Sequence, residues 1–214
     1  ITSPATTLME EECVQELAGL VGFTHRARTS VANGSLVSCG TISNLTALLA
    51  ARSKAYRKAG HSERKALYEL PRGIIVTSAS AHYSIRKAAW ILGIGEENVA
   101  EVPVVDNEEI VAFEESLTPL KLKPSKEAYE EALARYRKDR KGNKRMSQAV
   151  IAVVTSLGTI NTGTIEPIRP AIELRDEYGF HLHVDAAIGG CALGVSEVKE
   201  KASGIGDVDS ITMD

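Results

Sequence analysis

The segment HLHVDAAIGG, residues 181–190, combines polar and very small residues in an unusual pattern. In an extended strand the alternate residues His181, His183 and Asp185 project from one face. Two imidazoles and a carboxylate on one face are ligands that zinc or iron accepts. The alanines and glycines that follow Asp185 instead favour a flat organic group lying against the chain. Taken alone, the segment leaves both interpretations open.

Short apolar segments alternate with helical patterns along most of the chain. The predicted strands are GIIVTS (73–78), residues 99–105, AVIAVVTS (149–156), FHLHVD (180–185) and the segment that begins in VDSITMD (208–214). The predicted helices lie within residues 3–23, 43–59, 82–95 and 167–179. This alternation indicates an α/β protein with a mostly parallel sheet flanked by helices.

The composition excludes several classes of protein. The chain has 214 residues, 43% apolar and 25% charged, as is usual for one large globular domain. A formal net charge of -3 gives no reason to expect nucleic acid or an anionic membrane as a partner. No apolar run approaches the roughly 18 residues of a membrane span. Three widely separated cysteines favour a reducing compartment, so we predict a cytoplasmic protein.

A helix start near residue 40 is a candidate anion site. Thr41, Ile42 and Ser43 follow Gly40 at this point, and free backbone N–H groups with the helix dipole suit a phosphate. The same residues also make an ordinary helix cap, so this motif alone does not decide between the two. It matches neither of the common glycine-rich nucleotide-binding patterns.

Other unusual residues follow the predicted strands, where ligands of parallel sheets gather. His82 follows the strand 73–78, and Ser156 ends the strand 149–156 before a glycine-lined turn. A buried carboxylate such as Asp185 needs a cationic partner or several donors, and a protonated ring nitrogen would be one. A phosphate cradle, an aromatic ring, a carboxylate and small residues together describe a pocket for pyridoxal phosphate.

Five motifs, in order, carry a family resemblance: GTISNLTALLAAR (40–52), SAHYSIRKAAWILGIG (80–95), SLGTINTGTIEPI (156–168), HLHVDAAIGG (181–190) and DSITMD (209–214). They resemble the group II pyridoxal-phosphate-dependent amino-acid decarboxylases, which include glutamate, aromatic-amino-acid, tyrosine and diaminobutyrate decarboxylases. The metal interpretation of residues 181–185 accounts for none of the other four motifs. The resemblance therefore favours the organic cofactor, pyridoxal 5'-phosphate, and no metal.

The resemblance implies a role for individual residues of this chain. Asp185 and His82 are the implied catalytic residues, the first at the pyridine nitrogen and the second stacked on the ring, while His183 supports Asp185. The implied cofactor-binding residues are Thr41, Ile42 and Ser43 at the phosphate, His82 and Ala187 on the two faces of the ring, Ser156 beside the phenolic oxygen or the substrate, and Asp185.

The resemblance also implies an architecture. The family has the type I fold of pyridoxal-phosphate enzymes, with a mixed seven-stranded sheet, a smaller C-terminal domain and a homodimer whose active sites lie at the subunit boundary. Residues 1–214 would be the N-terminal portion of the large domain, with 106–147 as a variable charged insert. The lysine that holds the resting cofactor is expected three residues beyond Asp214, so we expect this chain alone to show no turnover.

The predicted function is the decarboxylation of an L-amino acid to its amine and carbon dioxide. The serine-asparagine pair after the phosphate turn resembles the glutamate, aspartate or diaminobutyrate branches more than the aromatic one, and an acidic substrate, glutamate-like or aspartate-like, is favoured. One alternative is a pyridoxal-phosphate-dependent carbon–carbon lyase of the sphingosine-phosphate lyase type. Two others are a metal-dependent hydrolase that uses His181, His183 and Asp185, and a homologue without catalytic activity.

Overall fold

The computed structural model describes residues 3–23, 34–58, 73–106, 122–123 and 150–214. Its α-helices are α1 (Pro4–Val21), α2 (Gly40–Lys58), α3 (Ser84–Ile91), α4 (Ile168–Tyr178) and α5 (Ser196–Lys201). Its strands are β1 (Ile74–Ser78), β2 (Val99–Val102), β3 (Val105–Asp106), β4 (Leu122–Lys123), β5 (Val150–Ser156), β6 (His181–Ala186) and β7 (Ser210–Met213). Short 3-10 turns cover Glu96–Asn98, Cys191–Gly194 and Ile205–Asp207.

Five strands form one parallel sheet in the order β2-β1-β5-β6-β7. Because all five run the same way, their carboxyl ends meet at one edge. At that edge Ser156 of β5 is paired in register with Asp185 of β6, and Asp185 is paired with Thr212 of β7. The strands predicted from residues 73–78, 149–156, 180–185 and 208–214 are all present in this sheet.

The two faces of the sheet pack against different helices. On one face Leu182 and Val184 of β6 join an apolar cluster with Leu174 of α4. On the other face a second cluster packs Leu48 of α2 and Ile85 of α3 against the sheet. Alternate residues of a strand point to opposite faces, so the polar residues 181, 183 and 185 lie on the side of α2. All six residues of β6 are buried.

Glycines end two of the helices, as the sequence predicts. Gly179 caps α4 in the left-handed conformation, with φ of 74°, and donates its N–H to the carbonyl of Arg175. After α3 the chain turns through Gly93 and Gly95, both with positive φ. Helix α2 begins at Gly40, three residues before the predicted start, which places Thr41, Ile42 and Ser43 in its first turn.

The strand predicted over residues 99–105 is interrupted. Strand β2 ends at Val102, and Val105–Asp106 pair instead with Leu122–Lys123 in a separate antiparallel ladder. Pro103 lies between them and has no N–H to donate to a sheet, which accounts for the break.

Most of the charged segment 106–147 lies outside the described residues. In the described ranges no helix combines the length and apolar character needed to cross a membrane.

Candidate active site

A cavity of about 230 Å³ opens at the carboxyl edge of the sheet. It lies where the start of α2 approaches the turns that follow β5 and β6. Its lining includes five of the predicted site residues, together with residues that the sequence did not single out. The lining residues are Cys39, Gly40, Thr41, Asn44, His82, Ser156, Gly158, Thr159, Ile160, Asp185, Ala187, Ile188 and Asp214.

The predicted phosphate-binding residues are divided by the structure. Thr41 lines the cavity, whereas the N–H groups of Ile42 and Ser43 both donate to the carbonyl of Cys39, at 3.0 and 3.1 Å. The Ser43 hydroxyl accepts a hydrogen bond of 2.8 Å from Thr212 in β7. The first amides of a helix have no acceptor within the helix. The amides of Gly40 and Thr41 are therefore the donors that α2 presents to an anion in the cavity.

His82 borders the cavity just before α3. Its Nδ1 lies 2.8 Å from the hydroxyl of Ser84 and accepts a hydrogen bond of 3.3 Å from the Ser84 backbone N–H. A backbone amide can only donate, so the neutral ring carries its proton on Nε2. Tyr83 packs against the ring, with the two ring centroids 4.5 Å apart. The imidazole is thus held in one orientation beside the cavity, as a stacking group requires.

Asp185 is buried, with 7% of its surface exposed, yet its carboxylate reaches the cavity. One oxygen, Oδ2, accepts a hydrogen bond of 2.8 Å from the side-chain amide of Asn44. The other, Oδ1, accepts one of 3.2 Å from the backbone N–H of Ala187. No lysine, arginine or histidine of the described ranges forms an ion pair with this carboxylate.

The two histidines of β6 are bonded to protein groups and do not converge with Asp185. The Nε2 of His183 is 3.0 Å from the Oδ1 of Asn44, and its Nδ1 is 2.8 Å from the hydroxyl of Ser210. The same hydroxyl is 2.7 Å from the Nε2 of His181. Within the described ranges, no group of three histidine, cysteine or acidic side chains is arranged to hold a metal ion. The geometry therefore gives no support to the metal-hydrolase alternative.

Burial keeps both of these histidines neutral. Burial and, to a smaller extent, the neighbouring His181 lower the pKa of His183 to about 3, against a hydrogen bond with the Ser210 backbone. Burial also lowers the pKa of His181 to about 4, against the attraction of Asp209. A neutral imidazole is both donor and acceptor, and its hydrogen-bond partners decide which ring nitrogen carries the proton.

Small residues allow the close approach of three segments at the cavity. Ala187 lines the cavity, and a side chain on Gly40 would meet it at 3.4 Å. A side chain on Gly189 would come within 2.3 Å of the carbonyl oxygen of Leu157, and one on Gly190 within 2.7 Å of that of Ala186. The glycines therefore serve the packing of backbone against backbone, while Ala187 forms the wall of the cavity.

Ser156 is joined to a buried acid that the sequence analysis did not identify. The Oε2 of Glu166 accepts a hydrogen bond of 2.7 Å from the Ser156 backbone N–H, and Glu166 has no exposed surface. Burial raises the pKa of Glu166 to about 7; hydrogen bonds from Ser78 and Ser156 oppose the rise and the charge of Asp185 adds to it. Asn44 is the other residue that was missed. Both lie within the quoted family motifs, but their roles depend on contacts between distant segments.

The donor set of the cavity fits pyridoxal phosphate. A buried carboxylate without a cation among its described neighbours matches a protonated pyridine nitrogen. The amides at the start of α2 match a phosphate, and His82 and Ala187 supply one aromatic and one small wall for a planar ring. Of the predicted residues, Thr41, His82, Ser156, Asp185 and Ala187 meet at the cavity. Ile42 and Ser43 lie in the first turn of α2 beside it.

Comparison of sequences gives the same result independently. The family model described as the pyridoxal-dependent decarboxylase conserved domain matches residues 1–214. An aspartate 1-decarboxylase of Aliivibrio fischeri is 31% identical, over 100% of this chain and 38% of its own length. An L-2,4-diaminobutyrate decarboxylase of Rhizobium meliloti is 32% identical, over 99% of this chain and 35% of its own length. The chain thus spans little more than a third of these relatives.

Solved structures share the fold. Mouse CSAD superposes with a TM-score of 0.77 at 27% identity, covering 97% of this chain and 38% of that protein. The glutamate decarboxylase domain of a diaminobutyrate enzyme from Vibrio parahaemolyticus gives a TM-score of 0.82 at 24% identity, covering 99% and 41%. The predicted α/β fold of the type I pyridoxal-phosphate enzymes is confirmed.

Proposed function

Because the chain belongs to the pyridoxal-dependent decarboxylase family, we propose that the protein carrying it removes the α-carboxyl group of an L-amino acid as carbon dioxide. The family consists of carboxy-lyases that depend on pyridoxal phosphate. The observation that supports the proposal best is Asp185, a buried carboxylate that borders a cavity without a cationic side chain of the described ranges beside it.

Pyridoxal phosphate supplies an electron sink for the bond between Cα and the carboxyl group. In this proposal, the protein residues hold and orient it. Asp185 keeps a proton at the pyridine nitrogen by offering it a fixed negative charge. His82 would cover one face of the ring and Ala187 the other, while the amides of Gly40 and Thr41 would bind the phosphate. Ser156, at the end of β5, would lie beside the phenolic oxygen or the substrate.

The surroundings of Asp185 suit this task. Its two hydrogen bonds, from Asn44 and from the backbone of Ala187, fix the position of both carboxylate oxygens. The nearest basic rings of β6 are neutral because of burial, so they do not compete as cations. The negative charge is therefore left for a group that enters from the cavity.

We also propose an acidic amino acid as the substrate. The support comes from relatives, since one is named an aspartate 1-decarboxylase and another, in Bos taurus, an acidic amino acid decarboxylase. The serine-asparagine pair resembles the glutamate, aspartate and diaminobutyrate branches alike, and in the structure Asn44 and the Ser43 hydroxyl are bonded to protein groups. Two other relatives are named diaminobutyrate decarboxylases, so the competing substrate is a dibasic amino acid.

A homodimer is part of the same proposal. Ile160 and Ile188 line the cavity but are 57% and 54% exposed. Large apolar side chains at the rim of a site are suited to contact with another surface, and a second subunit would supply it. The mass of the complete protein by light scattering tests this.

A cytoplasmic location also stays a prediction, supported by Cys13, Cys39 and Cys191, which are all free and exposed.

Incubation of the complete protein that carries this chain, loaded with pyridoxal phosphate, with an equimolar mixture of L-amino acids tests the activity. Amines are identified by mass spectrometry, and carbon dioxide is measured from carboxyl-labelled substrate. We expect the amine of aspartate or glutamate to form first. Formation of the diaminobutyrate product instead would reject the acidic preference only. The absence of any amine, with the cofactor bound, would reject decarboxylation.

A further inference from the structure

One buried amide connects the two side chains that are proposed to hold the cofactor ring. We propose that Asn44 is a positioning residue, which sets the carboxylate of Asp185 and, through Ser84, the imidazole of His82 as one unit. The proposal rests on the proposed function, because these two groups matter as a pair only around a bound ring. Asn44 is 1% exposed and lies in the second turn of α2, 141 residues from Asp185 in sequence.

The orientation of the Asn44 amide is fixed by its neighbours. Its Nδ2 lies 2.8 Å from the Oδ2 of Asp185 and 2.9 Å from the hydroxyl oxygen of Ser84. The reverse orientation would place the amide oxygen against a carboxylate, which only accepts hydrogen bonds. Both N–H groups of the amide are therefore used as donors, one to Asp185 and one to Ser84.

The first arm of this network ends at His82. Since the Ser84 oxygen accepts from Asn44, its own proton is directed to the Nδ1 of His82, 2.8 Å away. The Ser84 backbone N–H donates to the same nitrogen, so both contacts require an unprotonated Nδ1. Ser84 has no exposed surface. The position of Asn44 thus determines, through Ser84, the orientation of the His82 ring.

The second arm ends at His183. The Oδ1 of Asn44 can only accept, so the Nε2 of His183, 3.0 Å away, carries the proton. The Nδ1 of this neutral ring then accepts from the Ser210 hydroxyl at 2.8 Å. The Ser210 carbonyl is 3.2 Å from the same Nδ1, so the Nδ1–H tautomer would also have an acceptor. Asn44 disfavours that tautomer, because its oxygen needs a proton on Nε2.

This arrangement leaves Asn44 no polar group for a substrate. Its two N–H groups and its oxygen are each bonded to buried partners. Asn44 lines the same cavity as Asp185 and His82. The asparagine of the GTISN motif therefore acts on the cofactor through Asp185 and His82. Buried networks of this kind are worth more than separate pairs, since each bond orients the next one.

Nitrogen-15 spectra of the cofactor-free protein test the network without any turnover. We expect His183 to carry its proton on Nε2 in the wild type and in Asn44→Asp, which keeps the acceptor. In Asn44→Ala the Asn44 oxygen is gone, and the more distant Thr212 hydroxyl, 3.4 Å away, is left as an acceptor for Nε2–H, so we expect the Nδ1–H form to appear. A wild-type His183 protonated on Nδ1, or the same tautomer in all three proteins, would overturn the assignment.

Binding of pyridoxal phosphate tests the link to the cofactor. We expect Asn44→Ala to raise the Kd by about tenfold or more, because it leaves a buried carboxylate short of a donor. Asn98→Ala is the matched control, since the Asn98 amide donates to the Ile94 carbonyl at 2.7 Å, outside the cavity. It should leave the Kd within about twofold of wild type. An Asn44→Ala protein that also stays within that range would overturn the proposal.

A double-variant cycle tests whether Ser84 acts through His82, and it remains informative if Asn44→Ala does not fold. Ser84→Ala and His82→Phe are measured singly and together. If Ser84 works by holding the imidazole, the two substitutions are not independent. The fold-increase in Kd of the double variant should then be at least about twofold smaller than the product of the fold-increases of the two single variants. A simple product would overturn the relay. A wild type that does not bind pyridoxal phosphate at all would instead reject the proposed function.

Discussion

Glu166 accepts a hydrogen bond from the backbone of Ser156 at 2.7 Å, and Ser156 is paired in register with Asp185. Two acids therefore lie on either side of the strand end where the cofactor is proposed to bind. Their surroundings differ, because Asp185 has two N–H donors and reaches the cavity, whereas Glu166 is fully buried. Burial raises the pKa of Glu166 to about 7, so it is the acid that takes up a proton near neutral pH.

The first prediction is a pH-dependent stability due to Glu166. Its pKa is about 7 in the folded protein against 4.5 for the ordinary group, so folding takes up a proton between these values. The stability that it contributes is present below pH 4.5 and is lost as the pH rises through 7. Glu166→Gln, which is neutral throughout, should therefore melt at a higher temperature than wild type at pH 8.

The stability difference between wild type and Glu166→Gln has an upper limit set by the pKa shift of Glu166. A shift of this size corresponds to at most about 3 kcal/mol. Glu200→Gln, in the exposed part of α5, should show the wild-type pH dependence. If wild type and Glu166→Gln melt at the same temperature at pH 8, and again at pH 5, the pKa of the Glu166 carboxyl is not raised.

The second prediction concerns the phosphate. Thr41→Ala should weaken the binding of pyridoxal phosphate more than that of pyridoxal, which has no phosphate group. Thr46→Ala is the matched control, because its hydroxyl donates to the Ile42 carbonyl on the exposed side of the same helix. We expect a difference of about threefold to tenfold between the two ligands for Thr41→Ala alone. The variant keeps the backbone amide, so the same loss for both ligands would show that the Thr41 hydroxyl does not contact the phosphate.

The third prediction concerns the stacking role of His82. His82→Phe keeps an aromatic face and should bind pyridoxal phosphate more tightly than His82→Ala does, by about threefold or more. Turnover of both variants can fall if the imidazole also handles a proton, so fluorescence titration of the cofactor is the proper measurement. Equal losses of affinity would show that stacking is not the function of this ring.

The fourth prediction tests the close packing after β6. A Cβ on Gly189 would lie 2.3 Å from the Leu157 carbonyl oxygen, so Gly189→Ala must displace backbone. We expect a loss of about 1 to 3 kcal/mol and a lower melting temperature. Gly19→Ala, in helix α1 with no atom within 4 Å of the added group, should be neutral or stabilising. A Gly189→Ala protein as stable as wild type would contradict this packing.

Much of the fold could be predicted because its signals are local. Buried strands such as residues 150–156 are continuous apolar runs, and α4 is followed by Gly179 at its end. The parallel sheet then brings Ser156 and Asp185 to one edge, so these site residues were found from strand ends alone. The break of the second predicted strand, residues 99–105, also has a local cause, Pro103.

The rest of the site depends on contacts between distant segments. Asn44 meets Asp185 only after α2 packs on the sheet, and no spacing in the sequence predicts which way its amide points. Glu166 was missed for a similar reason, since a glutamate after a turn is normally exposed. The phosphate turn was predicted over three residues, but the hydrogen bond between Ser43 and Thr212 forms across 169 residues of chain.

The fifth prediction addresses the central claim, that Asp185 holds the proton of the pyridine nitrogen. The measurement is the kcat of carbon dioxide release by the Asp185→Ala enzyme, saturated with pyridoxal phosphate, beside that of the wild type. The account predicts that decarboxylation is nearly abolished, because a neutral pyridine accepts electrons far less well. An Asp185→Ala enzyme with more than about a tenth of the wild-type kcat, a barrier increase below about 1.4 kcal/mol, would contradict it.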